Sequence, residues 1–343
     1  MATSPTTTHL LVANPTAQSG KNAERVAKAQ RLLTEAGLKV EMMPTEPAGR
    51  TTEKVRRALD SGQYGCVIAM GGDGTFREVA SGIMLSTRRD EIALGMLPTG
   101  TANDQGRSFG LDPSEESIAR NVLVIRGHHE TRLDAGHIVG LDVHGRKLAE
   151  AYFFDSAGWG LSARILADRN EDRKVVEQIP GLRHVYRDQA IYAGALVKNL
   201  LGSYVTSDKF VAHVESEGGL TTLTRLSDLV IKATRIYGGA WVFDPTSKHD
   251  DGLFEVVPAR GRRDWFARVA KAAEKPLVPG DALDALGIEP SEIFRSGRLH
   301  LKFEVPPGNA SLAAQIDGEE FPATPQVRIE VLPRALRLIV PIA

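Results

Sequence analysis

A single cysteine in 343 residues leaves no partner for an internal disulfide and no thiolate set for a zinc site. Cys66 falls in the short apolar run "CVIAM", so it reads as a buried structural thiol. Excess charge of one sign is equally scarce. Lys and Arg number 42 against 43 Asp and Glu, a net charge of -1, which removes bulk attraction to nucleic acid. No stretch approaches the roughly 18 consecutive apolar residues of a membrane span. The opening "MATSPTTTHLLVANP" has neither the basic segment nor the long apolar segment of a signal peptide. These absences fit a cytoplasmic protein, and one that acted on lipid would visit a membrane surface rather than cross it. No internal repeat is present.

The length favours two domains over one core. In the first third, strands alternate with helices. "HLLVANP", "LKVEMMPT", "GCVIAM" and "IALGMLP" read as strands; 22–36, 51–60 and 75–85 read as helices. Such alternation means βαβ units and a Rossmann-like parallel sheet, an α/β domain expected over 9–133. The loops "NPTAQSGK", "MPTEP", "GGDGT" and "PTGTANDQGRS" all fall at the carboxyl ends of these strands, where ligands bind such sheets. Beyond residue 128 strand-like segments dominate, interrupted by helices near 161–169, 186–201 and 262–274. A β-rich domain is expected over 134–325. The last segment, 326–343, is strand-like and offers a return to the first domain.

Several segments carry chemistry. In "AMGGDGTFREVASGI", Gly71, Gly72 and Gly74 bare the backbone around Asp73 between a strand and a helix start. That layout lets N–H groups close on phosphate, and an enclosed carboxylate calls for a cation such as Mg²⁺. In "LPTGTANDQGRS", Gly100 and Thr101 repeat the design; Asn103 and Asp104 follow, with helix capping as the alternative for Asp104. Asp134 in "RLDAGHI" sits in a strand context that disfavours aspartate, unless it marks a turn. Asp250-Asp251-Gly252 reads as a hairpin turn or as oxygens for a divalent ion. In "QIDGEEF", Asp317 and Glu319 flank Gly318, as a turn or as a general base with its electrostatic partner.

Together, in order and spacing, these segments resemble the diacylglycerol kinase catalytic family, whose relatives include YegS-like lipid kinases and sphingosine and ceramide kinases. The resemblance runs from "VANPTAQSGK" to "IDGEEF", nearly the whole chain. It implies an NAD-kinase-like α/β nucleotide domain, a β-rich domain shaping a lipid pocket, ATP and Mg²⁺. Gly71, Gly72, Asp73, Gly74, Thr75, Phe76 and Arg77 would form the ATP loop, with Asn14, Thr45, Gly100, Thr101 and Asn103 also on the nucleotide. Asp73, Asp104 and Asp134 would organise the catalytic Mg²⁺. Asp251, with the backbone carbonyls of Lys248 and Leu253, would bind a structural Mg²⁺. Asp317 or Glu319 would act as general base on the lipid hydroxyl. The implied partner is a lipid at the inner membrane surface; a homodimer is compatible with the resemblance.

Two positions depart from the family pattern: Arg77 stands where Asn is frequent, and Gln105-Gly106 where an aromatic-small pair is usual. A soluble NAD kinase shares the GGDGT loop, but its downstream Asn-Glu pair is missing here. A catalytically dead lipid-binding regulator is the other alternative, opposed by the full set of acids. Two segments are candidates for lipid contact. "QAIYAGALVKNLL" has near-helical apolar spacing, which reads first as a core-facing helix, with a wall or lid of the lipid pocket as the alternative. "RGRRDWFARVAK" mixes basic residues with Trp265 and Phe266, equally a solvated helix with two residues packed inward.

Overall fold

The computed structural model describes residues 8–15, 21–100, 103–164, 166, 209–238, 241–261, 264, 291–306 and 312–342. Thr101, much of the "NPTAQSGK" loop, the expected helices at 186–201 and 262–274, Trp265 and Phe266 lie outside the described residues.

The chain begins as a run of βαβ units: β1 (Thr8–Ala13), α1 (Lys21–Glu35), β2 (Val40–Pro44), α2 (Arg50–Asp60), β3 (Tyr64–Gly71), α3 (Asp73–Leu85) and β4 (Ala93–Pro98). The four strands are parallel in the order β2-β1-β3-β4. β1 and β4 are buried along their whole length, as unbroken apolar runs covered on both faces must be. Thr51, Val55 and Leu59 give α2 one buried stripe toward the sheet and α3. Cys66 is buried in β3, and burial pushes its thiol up to about 12, so it is inert packing.

Then follow α4 (Asp104–Ser108), α5 (Ile118–Gly127), β5 (Glu130–Leu141), β6 (Lys147–Phe153), β7 (Ser156–Gly160), β8 (Phe210–Ser216), β9 (Gly219–Leu226), β10 (Asp228–Lys232), β11 (Phe254–Ala259), β12 (Phe294–Ser296), β13 (Arg298–Glu304), β14 (Ala314–Ile316), β15 (Glu319–Phe321) and β16 (Gln326–Ile339). Ten strands make one sheet, β2-β1-β3-β4-β16-β13-β8-β9, with β5 on β16 and β6 on β5. β16 is the splice. Its first half pairs antiparallel with β13, and its end pairs parallel with β4 through Arg337 and Leu338. Between them the register shifts near Leu332, and Arg334 takes φ 53. β5 lies along β16 from end to end and runs through residue 133, where the sequence reading divides the chain.

The second sheet, β12-β11-β10-β7-β14-β15, has two different faces. Trp159, Leu229, Ile231, Phe254 and Val256 pack with Ala212, Val214, Leu299 and Leu301 of the large sheet to form the core of a sandwich. The opposite face carries Ser156, Asp228, Lys232, Glu255 and Gln315, all buried. A polar buried face costs free energy unless its groups serve one another or a ligand.

Candidate active site

The ends of β3 and β4 bring the two glycine loops together. Gly71 O accepts a hydrogen bond from Thr99 N at 2.9 Å. A Cβ on Gly100 would lie 2.5 Å from Gly72 Cα, so the two backbones touch with no room for a side chain. The Thr75 hydroxyl occupies the space a Cβ on Gly71 would need. Asn103, at φ 54, holds its own loop: Oδ1 accepts from Gly100 N at 2.9 Å and Nδ2 donates to Gly100 O at 2.6 Å. Nearby strand ends add Asn14, whose carbonyl accepts from the Asn22 side chain, and Thr45, whose amide donates to Ala13 O at 2.9 Å.

Behind the loops lies a group of acids, Asp104 and Asp155 buried and Asp73 half-buried. Asp73 opens α3, and its Oδ1 accepts from Gln105 N at 3.2 Å. Asp104 opens α4, and its Oδ2 accepts from Gly238 N at 2.7 Å. Asp155, between β6 and β7, accepts from Thr234 Oγ1 at 2.5 Å and from Ser156 Oγ at 3.2 Å. Lys232 Nζ stands 3.9 Å from Asp155 Oδ1, and both side chains are buried. Burial, then the charge of Asp155, raises the Asp73 carboxyl above its ordinary range. Asp104 is raised further, by burial, then by Asp155 and Asp73, with Lys232 pulling it back. Gln105 is buried with neither side-chain polar atom partnered.

The turn between β14 and β15 closes over this site. Asp317, at φ 46, accepts from three successive amides: Phe154 N (2.9 Å to Oδ2), Asp155 N (2.8 Å) and Ser156 N (3.0 Å). Burial, then Asp155, pushes its carboxyl up to about 7, while the Asp155 amide and Arg77 pull it back. Glu319 is exposed, its carboxylate makes no hydrogen bond among the described residues, and its Oε1 lies 3.3 Å from where a Cβ on Gly74 would sit. An accessible carboxylate therefore faces the GGDGT loop, while Asp317 is committed to the 154–156 turn.

A second group forms at the DDG segment. Asp134 N donates to His249 O at 2.8 Å. Its carboxylate accepts from Gly252 N at 2.7 Å and Arg334 N at 2.6 Å. Burial raises this carboxyl, and Asp251 and Asp250 raise it further. Asp251 Oδ1 accepts from Leu253 N at 3.1 Å, and Oδ2 is 3.9 Å from Arg295 Nη1. Arg295 also pairs with Asp244 at 2.6 Å. Lys248 and Leu253 are exposed on the same loop.

These placements revise the expected trio of Asp73, Asp104 and Asp134: the first two share one site, and Asp134 joins the DDG loop to the bulge of β16. Phe76, expected in the nucleotide loop, packs its ring on Phe154 in the core, with centroids 6.0 Å apart, and its amide donates to Gly72 O. Arg77 is half-buried rather than an exposed helix charge; its Nε is buried with no hydrogen-bond partner among the described residues, and its charge acts on Asp317. Asp155, Lys232 and Thr234 were not singled out from the sequence. Their signal is an acid in "FFDSAGWG" and a lysine in "DLVIKAT", polar residues inside strand-like apolar runs.

Asp73 and Asp104 offer hard oxygen ligands whose mutual repulsion a divalent cation would relieve, so they fit Mg²⁺. Among the described residues no three acid, His or Cys side chains converge as a metal cage.

Two loop glycines in backbone contact, with acids behind them and an accessible carboxylate above, make one cleft at the carboxyl ends of β3 and β4. The sequence matches the diacylglycerol kinase catalytic domain over residues 8–138. A diacylglycerol kinase of Staphylococcus epidermidis is 30% identical over 233 residues, 62% of this chain and 68% of that protein. A Pseudomonas aeruginosa protein named "Probable lipid kinase YegS-like" is 28% identical over 324 residues, 94% of this chain and 91% of its own. A crystal structure of a Bacillus anthracis diacylglycerol kinase superposes with a TM-score of 0.68 at 19% identity, covering 97% of each chain, and shares the fold. The chain belongs to the diacylglycerol kinase family, a class of lipid kinases.

Proposed function

We propose that this protein transfers the γ-phosphate of ATP to the hydroxyl of a lipid such as diacylglycerol or a sphingoid base, with Mg²⁺. The observation that carries the reading is the contact of Gly72 with Gly100, with Glu319 held over Gly74. The amides at the α3 start in the GGDGT loop, with Thr75 and, from the resemblance, Thr101, bind and orient the ATP phosphates. Bound at Asp73 and Asp104, Mg²⁺ supplies positive charge against the phosphate oxygens. Arg77 adds a cation on the same side. Glu319 takes the proton of the lipid hydroxyl at its carboxylate, because it is accessible and its oxygens are uncommitted. Asp317 positions the 154–156 turn. Asp251, with the carbonyls of Lys248 and Leu253, would hold a structural Mg²⁺ in a loop that Arg295 also steadies.

No helix among the described residues is long and apolar enough to cross a membrane. The acceptor is met at the inner membrane surface by a cytoplasmic enzyme in this reading. The test is transfer of labelled γ-phosphate from ATP to a panel of lipids in mixed micelles, with Mg²⁺ and with chelator. A labelled lipid that requires Mg²⁺ supports the proposal. Labelled NADP from an NAD control, with no lipid product, replaces it with the NAD kinase reading, and no transfer to any acceptor favours the regulator.

A further inference from the structure

Lys232 has no role in the chemistry above, and its surroundings are unusual. It is 1% exposed at the end of β10, in register with Ser156 on β7 and Glu255 on β11. A buried ammonium is costly unless it is paired and hydrogen-bonded. Its Nζ donates to Ile236 O at 2.7 Å, lies 3.9 Å from Asp155 Oδ1 and sits 5.2 Å above the Tyr237 ring. Its charge also reaches Asp104 on α4 and Glu255.

The strap 233–238, which follows Lys232 directly, ties the two lobes. Thr234 Oγ1 and Ala233 N bind Asp155 through its carboxylate and carbonyl, at 2.5 and 2.8 Å. Ile236 N binds Ser108 Oγ at 3.1 Å, and Gly238 N binds Asp104 at 2.7 Å. The strap therefore reaches from the β6–β7 turn to α4, and the Lys232 ammonium bonds its middle.

We propose that Lys232 is the positioning residue of this acid site: its ammonium offsets the charge of Asp155 beside Asp104 and fixes the strap that presents the Gly238 amide to Asp104. The stability arm of the test is independent of the kinase reading, and only the kinetic arm rests on it. A lysine serving merely as packing would act through its stem, which methionine reproduces.

The experiment compares Lys232→Met, Asp155→Asn and the double variant by thermal unfolding, and then in the phosphotransfer assay. Lys232→Met strands a buried carboxylate, so its Tm falls by about 5–15 °C. The double variant removes both charges and recovers at least half of that loss. In the assay, Lys232→Met lowers kcat by about tenfold or more, with a much smaller change in the KM for ATP. Additive Tm changes, or Lys232→Met as stable as wild type, overturn the proposal. If Lys232→Met does not fold, the double variant must fold, and its failure also overturns the idea. An unchanged kcat in a destabilised Lys232→Met reduces Lys232 to a structural residue. Wild-type protein inactive toward every lipid removes the kinase reading but leaves the Tm comparison decisive for the charge pair.

Discussion

Gly100→Ala isolates the contact on which the nucleotide site rests. The added Cβ would lie 2.5 Å from Gly72 Cα and 3.1 Å from Gly72 N. Ordinary carbon contacts begin near 3.5 Å, so the two loops must separate by about 1 Å. Both sides of the clash are main chain, and no flexible side chain can give way. Overpacking of this kind costs about 1–3 kcal/mol, a Tm decrease of about 2–10 °C for a protein of this size. The functional cost is larger, because a misplacement of about 1 Å at a phosphate-orienting loop can cost about 100-fold in rate. Differential scanning fluorimetry and labelled-phosphate transfer measure the two effects. Gly127→Ala is the control: nothing lies within 4 Å of its Cβ position, and it closes α5, so Tm should hold or rise slightly. Gly100→Ala with wild-type Tm and wild-type transfer would refute the contact. Loss of Tm with full transfer would show that the loops touch but do not hold the phosphates.

Glu319→Gln should lower kcat by about 100-fold while ATP binding and Tm hold, checked by steady-state kinetics and nucleotide titration; unchanged turnover excludes Glu319 as the base. Asp317→Asn should change the pH dependence of stability. The folded carboxyl is raised from 3.8 to about 7, so its stabilising contribution is full below pH about 4 and is lost as pH rises through 7. Measured by urea unfolding between pH 5 and 8, wild type should lose about 2–3 kcal/mol relative to Asp317→Asn; parallel profiles would disprove the raised value. Asp134→Ala frees the Gly252 and Arg334 amides and should cost about 2–4 kcal/mol, with proteolytic cleavage appearing in the DDG segment. A variant as stable as wild type would mean that water replaces both bonds.

Local chemistry was legible in the sequence. Buried parallel strands read as unbroken apolar runs, the glycines of "GGDGT" and "PTGTAND" mark bare loops at strand ends, and helix spacing gave α1, α2 and α3 nearly to the residue. Each of these signals depends on neighbours within a few positions, so one chain segment carries it. Tertiary structure decided which acids meet. Asp317 binds amides about 160 residues away, while Glu319, two residues on, stays accessible. Asp134 left the Asp73–Asp104 site because the bulge of β16, 200 residues later, supplies the Arg334 amide. Lys232 and Asp155 lie in apolar runs that look like ordinary strand interior; only the pairing of β10 with β7 puts ammonium beside carboxylate. Nor could motif spacing reveal that Gly72 and Gly100 touch, since that contact depends on β3 and β4 being neighbours in register. The sequence by itself determined the loops, the strand order's parallel character and the inventory of acids. Their division into the Asp73–Asp104 group, the Asp317 turn and the Asp134 clamp came from long-range packing, where burial and mutual charge set what each carboxylate can do.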